Sequence, residues 1–494
     1  MTRRAVIIGA GPAGLTAAYE LALNRHQSVV LEADNQVGGL SKTMSHRGYL
    51  FDIGGHRFFT KVGVVEKMWR NVLGPELLTR PRMSRIYYRN RFFDYPLRPL
   101  NALSGLGMLE TMRCAASYAR SRLLPRQPEA DFESWVSNRF GSRLFDIFFR
   151  TYTEKVWGMK CHEISADWAV QRIQSLTLGK MVANTLLGGR AAGGRPKSLI
   201  EQFLYPRRGP GQMWSRTADI IQQHGSQVLL RKAVRRVHHN GSRVTGVEAG
   251  DEVYTGDHYI SSMPIRDLIQ RLHPAPPKTV TQAAERLRYR DYLAVCLICG
   301  RDNLFPDNWI YVHDPEVLVG RIQNYGNWSP MMVPVQGTSC LGLEYFCFED
   351  ETLWSTGDAE LVALGTSELS KLNLLRSSDV QEGVVLRVPK AYPIYDGDYQ
   401  ECLREIRTWL DRFGNLQLVG RNGMHRYNNQ DHSMLTGMLA ARNILGSRYD
   451  LWQVNADAEY HESGDIISEE ELQSLSSTQP IVPERRHSGR DVRE

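Results

Sequence analysis

Near the start of the chain, glycines recur at the spacing that holds a phosphate. The run Gly9-Ala10-Gly11-Pro12-Ala13-Gly14 follows the apolar tetrapeptide Ala5-Val6-Ile7-Ile8 and leads into Leu15-Thr16-Ala17-Ala18-Tyr19-Glu20-Leu21, whose composition is helical. In such a strand, turn and helix, Gly9 permits the tight turn, Gly11 lets a pyrophosphate reach the backbone, and Gly14 lets the helix lie against the strand. Pro12 and Ala13 stand at the head of that helix, where unpaired N–H groups and the helix dipole attract anions. Glu32 closes a second short strand, Ser28-Val29-Val30-Leu31, and with Ala33 is placed to meet a ribose. The unit predicts a dinucleotide site; the bland alternative is a glycine-rich turn that binds nothing.

Beyond Glu32 come two glycine pairs, in Val37-Gly38-Gly39-Leu40 and in Phe51-Asp52-Ile53-Gly54-Gly55-His56. Paired glycines bring backbone N–H groups close to phosphate oxygens, an approach that Cβ atoms obstruct. At these residues the sequence resembles the glycine-rich flavoproteins that include amine oxidases, protoporphyrinogen oxidase, phytoene desaturases and UDP-galactopyranose mutases. The resemblance implies FAD rather than NAD, with Gly38, Gly39, Leu40, Gly54 and Gly55 beside the phosphates and the flavin and Val234 against the adenine. It also puts His56 beside the flavin, where an imidazole can stabilise the reduced ring or shuttle a proton. A purely structural histidine is the other reading.

Within that group, a scattered constellation is similar to the eukaryotic-type mutases. Arg91-Phe92-Phe93-Asp94-Tyr95-Pro96 resembles the segment that brings a tyrosine toward the substrate diphosphate. Arg150-Thr151-Tyr152-Thr153-Glu154-Lys155-Val156-Trp157 resembles their R-P-Y-x-x-K-V-W segment, and Arg172 lies fifteen residues after Trp157, the spacing of a diphosphate-binding arginine. Tyr311 and Arg321, ten residues apart, fit a phosphate-binding pair. Tyr392-Pro393, then Gly420-Arg421 and Tyr427-Asn428-Asn429-Gln430-Asp431-His432-Ser433, resemble the segments in which the arginine and the residues after it contact flavin and substrate. The last of these opens a helix, for which Asp431 or Ser433 is a candidate cap.

These residue types suit one ligand chemistry. A nucleotide sugar brings a diphosphate, which two arginines can clamp through fork-like donors with tyrosine hydroxyls in support. Without the resemblance, Arg172 and Arg321 read as solvated surface charges and the tyrosines as core or rim aromatics. With it, the implied activity is that of an FAD-dependent nucleotide-sugar mutase, reduced by NADH or NADPH, that interconverts pyranose and furanose forms of a UDP-linked sugar through a flavin N5–sugar adduct. Its catalytic set would be His56, Arg172, Arg321, Tyr311, Tyr392 and Tyr427, with Tyr95, Arg98, Tyr152 and Thr153 adding substrate contacts and Arg421 and Asn429 through Ser433 holding the cofactor. Arg98 stands where the mutases carry glutamine and Thr153 where they carry asparagine, so the sugar stays open; Arg98 suits an acidic sugar or a surface ion pair. Two rival readings use the same fold: an FAD oxidoreductase of the amine oxidase, protoporphyrinogen oxidase or desaturase type, with an apolar substrate cavity, and a non-catalytic FAD-binding protein.

Such residues need an α/β scaffold. The expected architecture is a Rossmann-like FAD-binding domain assembled from residues 1–90, 206–285 and 396–465, a helical insertion over 91–205, a sheet-rich substrate domain over 286–395 and a flexible tail over 466–494. Met108 to Leu123 contains neither Gly nor Pro, and Phe132 to Phe140 repeats apolar residues at three- and four-residue spacing, so both predict helices. Gly188 to Arg195 reads as a mobile loop. Gln227 to Leu230, Val234 to Val237, Tyr259 to Ser262, Tyr292 to Gly300, Trp309 to Val312 and Leu341 to Cys347 predict strands.

Composition closes off other classes. The 494 residues are 42% hydrophobic and 23% charged, which excludes a disordered or collagen-like chain. Seven cysteines, an odd number spread over that length, are no disulfide framework, and the C-x-x-C of Cys296 and Cys299 sits in the apolar run YLAVCLICG, which reads as a buried strand rather than a metal site. Lys plus Arg exceed Asp plus Glu by 60 to 54, and the arginines are scattered, which suits anionic small ligands rather than nucleic acid. No apolar run is long enough to span a membrane and the N-terminus leads directly into a strand, so a cytoplasmic protein is expected. No stripe specifies an oligomeric state.

Overall fold

The computed structural model describes residues 4–95, 97, 99–166 and 202–455. The expected loop at Gly188 to Arg195, the expected tail at 466–494, and Arg98 and Arg172 lie outside the described residues.

Ala5–Ile8 is buried at every position, as a strand covered on both faces must be. It is the centre of a parallel sheet in the order Leu416–Leu418, His258–Ser261, Ala5–Ile8, Ser28–Leu31, Gln227–Leu229. The first strand therefore has the next strand in sequence on one side and, on the other, His258–Ser261 from beyond the middle of the chain. In open α/β sheets that change of direction opens a crevice beyond the strand ends, where ligands bind. Helix Pro12–Leu23 covers the sheet and packs against helix Gln430–Ile444. The α/β reading with a Rossmann-like sheet drawn from separated segments matches this architecture.

A smaller sheet joins Glu252–Tyr254, Val244–Ala249, Val234–His239 and Leu272–His273. A third, of seven strands, runs Val380–Pro393, Tyr289–Cys299, Ser339–Cys347, Arg321–Asn324, Trp309–Val312, Ser84–Tyr88, Arg91–Asp94. The expected division at residue 90 cuts this last hairpin in two: Ser84–Tyr88 and Arg91–Asp94 are antiparallel partners, and Ser84–Tyr88 also pairs with Trp309–Val312. Segment 84–94 thus belongs to the sheet-rich part, neither to the cofactor sheet nor to the helical insertion, because its backbone hydrogen bonds go there. Cys296 and Cys299 lie in Tyr289–Cys299, a strand buried throughout, and all seven cysteines are buried and free.

Met108–Leu123 and Phe132–Phe140 are helices, as their patterns predict. The second starts at Asp131, whose side chain accepts from the Ser134 N–H at 2.8 Å. Helix Thr151–Trp157 follows and brings the Tyr152 segment back toward the seven-stranded sheet.

Asp52 ties together two short ribbons, Thr43–His46 with Tyr49–Asp52 and Leu77–Pro81 with Gln202–Pro206, and the short helix Tyr325–Trp328. It is fully buried at the end of strand Tyr49–Asp52; its carboxylate accepts from Thr43 Oγ1 at 2.8 Å and from the Tyr205 hydroxyl, and its carbonyl accepts from the Tyr325 hydroxyl at 2.7 Å. Thr43 Oγ1 in turn accepts from the Gly211 N–H at 3.0 Å, at the head of helix Gly211–Gln223. Burial pushes the Asp52 carboxyl up to about 7, against the pull of the Tyr205 and Thr43 hydroxyls. The folded protein therefore keeps this proton over an interval, from pH 4 to about 7, in which the unfolded chain has lost it, and stability falls as pH rises through that interval. Asp52→Asn imitates the protonated acid. Relative to this variant, the wild-type thermal midpoint should drop between pH 5 and pH 8, with a stability loss of up to about 3 kcal/mol over the roughly two units below the folded pKa, at about 1.4 kcal/mol per unit. Parallel midpoints for the two proteins across that range in a melting series would refute the assignment.

Candidate active site

The crevice at the carboxyl ends of the parallel strands is a cavity of about 350 Å³. Of the expected residues, Gly9, Gly11, Pro12, Ala13, Glu32, Ala33, Gly39, Leu40, His56, Val234, Arg421, Gln430 and Ser433 line it. Gly9 has φ +96°, and a Cβ there would lie 2.2 Å from Ser262 Oγ, so the turn exists only with glycine. At Gly14 a Cβ would lie 2.0 Å from the Gly9 carbonyl oxygen; Gly14 does not line the cavity but allows the helix to start beneath it.

Glu32 accepts from the Ala10 N–H at 2.6 Å and from the Asp34 N–H at 2.9 Å, which holds its carboxylate beneath the glycine turn and at the cavity wall. Gly38 donates its N–H to the Ala10 carbonyl at 2.9 Å and so ties the second glycine segment to the first. Gly54 and Gly55 stand behind the lining: a Cβ on Gly54 would lie 2.9 Å from His56 Cε1 and one on Gly55 2.8 Å from Gln323 Nε2. Gly54 thus makes room for His56 and Gly55 for Gln323.

Helix Gln430–Ile444 points its N-terminus at the cavity, but its cap differs from expectation. Asn429 is the N-cap residue, and its N–H donates to His432 Nδ1 at 3.2 Å. Asp431 and Ser433 fall inside the first turn, too late to cap it, and Asp431, His432 and Ser433 are buried. Gln430 presents both side-chain polar atoms, buried and without a hydrogen-bond partner among the described residues, beside the cavity. Unpaired buried amide atoms are costly, and a flat heteroaromatic ring with donors and acceptors on its edge would satisfy them. The glycine turns, Glu32 and Gln430 fit a flavin dinucleotide.

The sequence reading missed Ser262, Lys232, Asp267 and Arg271, which also line the cavity. Ser262 follows the strand His258–Ser261 and donates to the Ile8 carbonyl at 2.9 Å, a place that strand order alone could suggest. Arg271 donates to the Val234 carbonyl at 2.9 Å, and nothing local marks it.

His56 leads from the cavity to a wall of aromatic and cationic groups. Burial, then the guanidiniums of Arg421 and Arg321, push its imidazole down to about 3, although its contact with the Gly54 backbone works the other way. His56 is therefore neutral at physiological pH. Its Nδ1 is buried and has no hydrogen-bond partner among the described residues.

Tyr311 lies between Tyr95, 4.7 Å away by ring centroid, and Tyr152, 5.5 Å away and edge-on. Tyr95 is 41% exposed and marks the rim, whereas Thr153 is buried on the Tyr152 helix. Tyr392 and Tyr427 stack at 5.6 Å, with the Arg421 guanidinium 5.5 Å and 4.8 Å from their ring centres. Burial pushes the Tyr152 and Tyr392 phenols up, so both remain neutral hydroxyls.

The two arginines of the wall differ in charge balance. Arg321 is ion-paired through Nε, at 2.9 Å, and Nη2 with Glu344 of the neighbouring strand, a carboxylate that also accepts from Gln323 Nε2 at 3.0 Å. Arg421 donates only to backbone carbonyls, of Asn428 at 2.8 Å and Ala391 at 3.1 Å, and has no ion-pair partner among the described residues. The structure thus brings together His56, Tyr95, Tyr152, Tyr311, Arg321, Tyr392, Arg421 and Tyr427, and leaves Arg421 as the cation with charge to spare.

The whole chain is similar in fold to a crystal structure of reduced UDP-galactopyranose mutase, with TM-score 0.78 and 23% identity over 90% of this chain and 94% of that one. It is also similar in fold to putrescine oxidase bound to putrescine, with TM-score 0.62 and 17% identity over 90% and 99% of the two chains. Among sequence relatives, L-amino-acid oxidase of Crotalus adamanteus is 45% identical over 65 residues, 13% of either chain. The Mycobacterium tuberculosis protein AofH, named as a flavin-containing monoamine oxidase, is 25% identical over 293 residues, 56% of this chain and 61% of that one. The match thus spans less than two thirds of either relative's length. Residues 12–445 match the family model of the flavin-containing amine oxidoreductases, and the chain belongs to that family.

Proposed function

We propose that the protein is an FAD-dependent mutase of a nucleotide-activated sugar, with a UDP-linked substrate and with NADH or NADPH as the source of electrons that reduce the flavin. The observation that carries this reading is the wall beyond His56: a guanidinium without a carboxylate partner among the described residues, a second one near it, and five tyrosines. Arg421 neutralises a substrate diphosphate there, and the Tyr152 and Tyr392 hydroxyls, uncharged at neutral pH, donate to its oxygens. Tyr95 and Tyr311 orient the rest of the nucleotide at the rim. Bound, reduced FAD supplies nucleophilic chemistry at the anomeric carbon of the sugar. Neutral His56 accepts or donates a hydrogen bond at the flavin edge without adding charge to it.

A second reading, a net oxidation of an amine, alcohol or ring carbon, draws on a specific observation. Glu344 cancels the charge of Arg321, so the wall is less cationic than two free arginines would make it. One set of assays separates the readings. FAD-loaded protein reduced with dithionite is incubated without oxygen with UDP-furanose and UDP-pyranose sugars, and the products are resolved by chromatography; ring interconversion is expected. No interconversion with any nucleotide sugar, together with hydrogen peroxide release on adding an amine or amino acid in air, would move the assignment to the oxidoreductase.

The charge difference between the arginines gives a second expectation. Arg421→Met should weaken UDP binding by about 1.5 to 3 kcal/mol, the usual worth of hydrogen bonds to a charged group, with the melting temperature little changed. Arg321→Met strands Glu344 and should cost about 3 to 5 kcal/mol of stability, which Glu344→Gln in the same chain should partly restore. Calorimetry of UDP binding and thermal melting measure both, and equal UDP affinity in wild type and Arg421→Met would count against the diphosphate role.

A further inference from the structure

Helix Thr151–Trp157 carries Tyr152 into the aromatic wall, and three residues later it carries Lys155, a half-buried cation. Lys155 has no ion-pair partner among the described residues. Its ammonium donates instead to three backbone carbonyls, of Asp314 at 2.6 Å, Val319 at 3.2 Å and Val312 at 3.3 Å. All three belong to one hairpin, whose loop joins strand Trp309–Val312 to strand Arg321–Asn324. In that hairpin Tyr311 and Arg321 are direct cross-strand partners.

The same loop is held from its other side by a buried anion. Glu368, on helix Asp358–Lys371, accepts from the Leu318 N–H at 2.5 Å, the Val319 N–H at 3.0 Å and the Tyr345 hydroxyl at 3.0 Å. Val319 is therefore gripped twice, its N–H by a carboxylate and its C=O by an ammonium, two residues before Arg321. His313, within the loop, stacks on Tyr152 at 4.9 Å and 9°, so the loop also touches the helix that supplies Lys155.

Burying a lysine against carbonyls is an expensive way to fill space, and burial pulls its ammonium down to about 8 despite Glu368 and Asp314 nearby. An apolar side chain would pack there without desolvating a charge. What the charge adds is direction: three hydrogen bonds that fix a loop, as charge-assisted bonds do more strongly than neutral ones.

We infer that Lys155 and Glu368 are opposed positioning residues that lock the 313–320 loop against the Tyr152 helix, so that Tyr152, Tyr311 and Arg321 stand preassembled for an anionic ligand. The inference rests on the nucleotide-sugar reading only for the identity of that ligand. Preassembly lowers the ordering cost of binding, so loss of the lock should weaken the ligand without touching the cofactor cavity on the parallel sheet.

The test uses the FAD-loaded protein and its Lys155→Met, Lys155→Arg and Glu368→Gln variants. Hydrogen exchange is read at the Leu318 and Val319 amides, UDP affinity by calorimetry, and FAD content by absorbance. Lys155→Met and Glu368→Gln should exchange faster at those two amides and bind UDP about tenfold more weakly, at unchanged FAD content. Lys155→Arg, which keeps the charge and the donors, should stay near wild type on both. Unchanged exchange or unchanged UDP affinity in Lys155→Met overturns the inference, as does a Lys155→Arg protein as impaired as Lys155→Met. If Lys155→Met does not fold, Glu368→Gln decides by the same two readouts. A wild type that binds no UDP overturns the nucleotide reading instead, and the exchange rates still decide whether the lock exists.

Discussion

A cation taken out of water has to be given back its hydrogen bonds, and around this cleft that requirement organises the protein. Arg321 is answered by Glu344, Lys155 by the hairpin carbonyls, and Arg290, only 3% exposed, by the Glu351 carboxylate at 3.0 Å and the carbonyls of Phe346 at 2.9 Å and Val156 at 3.1 Å. Val156 lies at the end of helix Thr151–Trp157, where free carbonyls and the helix dipole favour a positive charge. Gly158, just past that helix, has φ +62°, and a Cβ there would lie 2.5 Å from Arg290 Cζ, so the helix must end in glycine for the guanidinium to fit. Each cation borrows partners from an element other than its own. Buried charge thereby joins the helix, the hairpin and the long strands into one body.

The two sides of the cleft are built on different physics. The cofactor side depends on the absence of side chains, in the glycine turns, and on backbone N–H groups and helix N-termini at the cavity. The opposite side depends on long charged and aromatic side chains projecting from the seven-stranded sheet and from helix Thr151–Trp157. A likeness in fold that covers both mutases and oxidases is what this division produces, since the first side serves any flavin enzyme. Arg321 and Tyr311 stand on the second side with Tyr152, and Arg421, which lines the cofactor cavity and packs on Tyr392 and Tyr427, stands between the two.

The two sides also differ in how far they could be read from sequence. The glycine turn and Glu32 are legible because the constraint is local: a turn, a close approach and a strand end, all within the first strand–helix–strand unit. Helices Met108–Leu123 and Phe132–Phe140 and strand Trp309–Val312 are legible for the same reason, each carrying its own periodicity. Glu344 is not, since it sits in Ser339–Cys347, otherwise an apolar strand, and its meeting with Arg321 is fixed by strand register. Nor is the place of segment 84–94, whose partner strand Trp309–Val312 lies far along the chain. The cap of helix Gln430–Ile444 fails for a subtler reason: Asn429, Asp431 and Ser433 can all cap, and only the backbone decides which one does.

Charge states narrow what the cleft can do. His56 is held neutral by burial and by two guanidiniums, and the Tyr152 and Tyr392 phenols are held neutral by burial. None of these three groups titrates near pH 7, which a general acid or base ordinarily does. The site is therefore equipped to stabilise and orient charge on a ligand more than to move protons. That fits a reaction in which a diphosphate departs and returns, with negative charge gathering on oxygens that Arg421 and the neutral hydroxyls face. An amine, which arrives as a cation, would meet in Arg421 a guanidinium that has no ion-pair partner among the described residues.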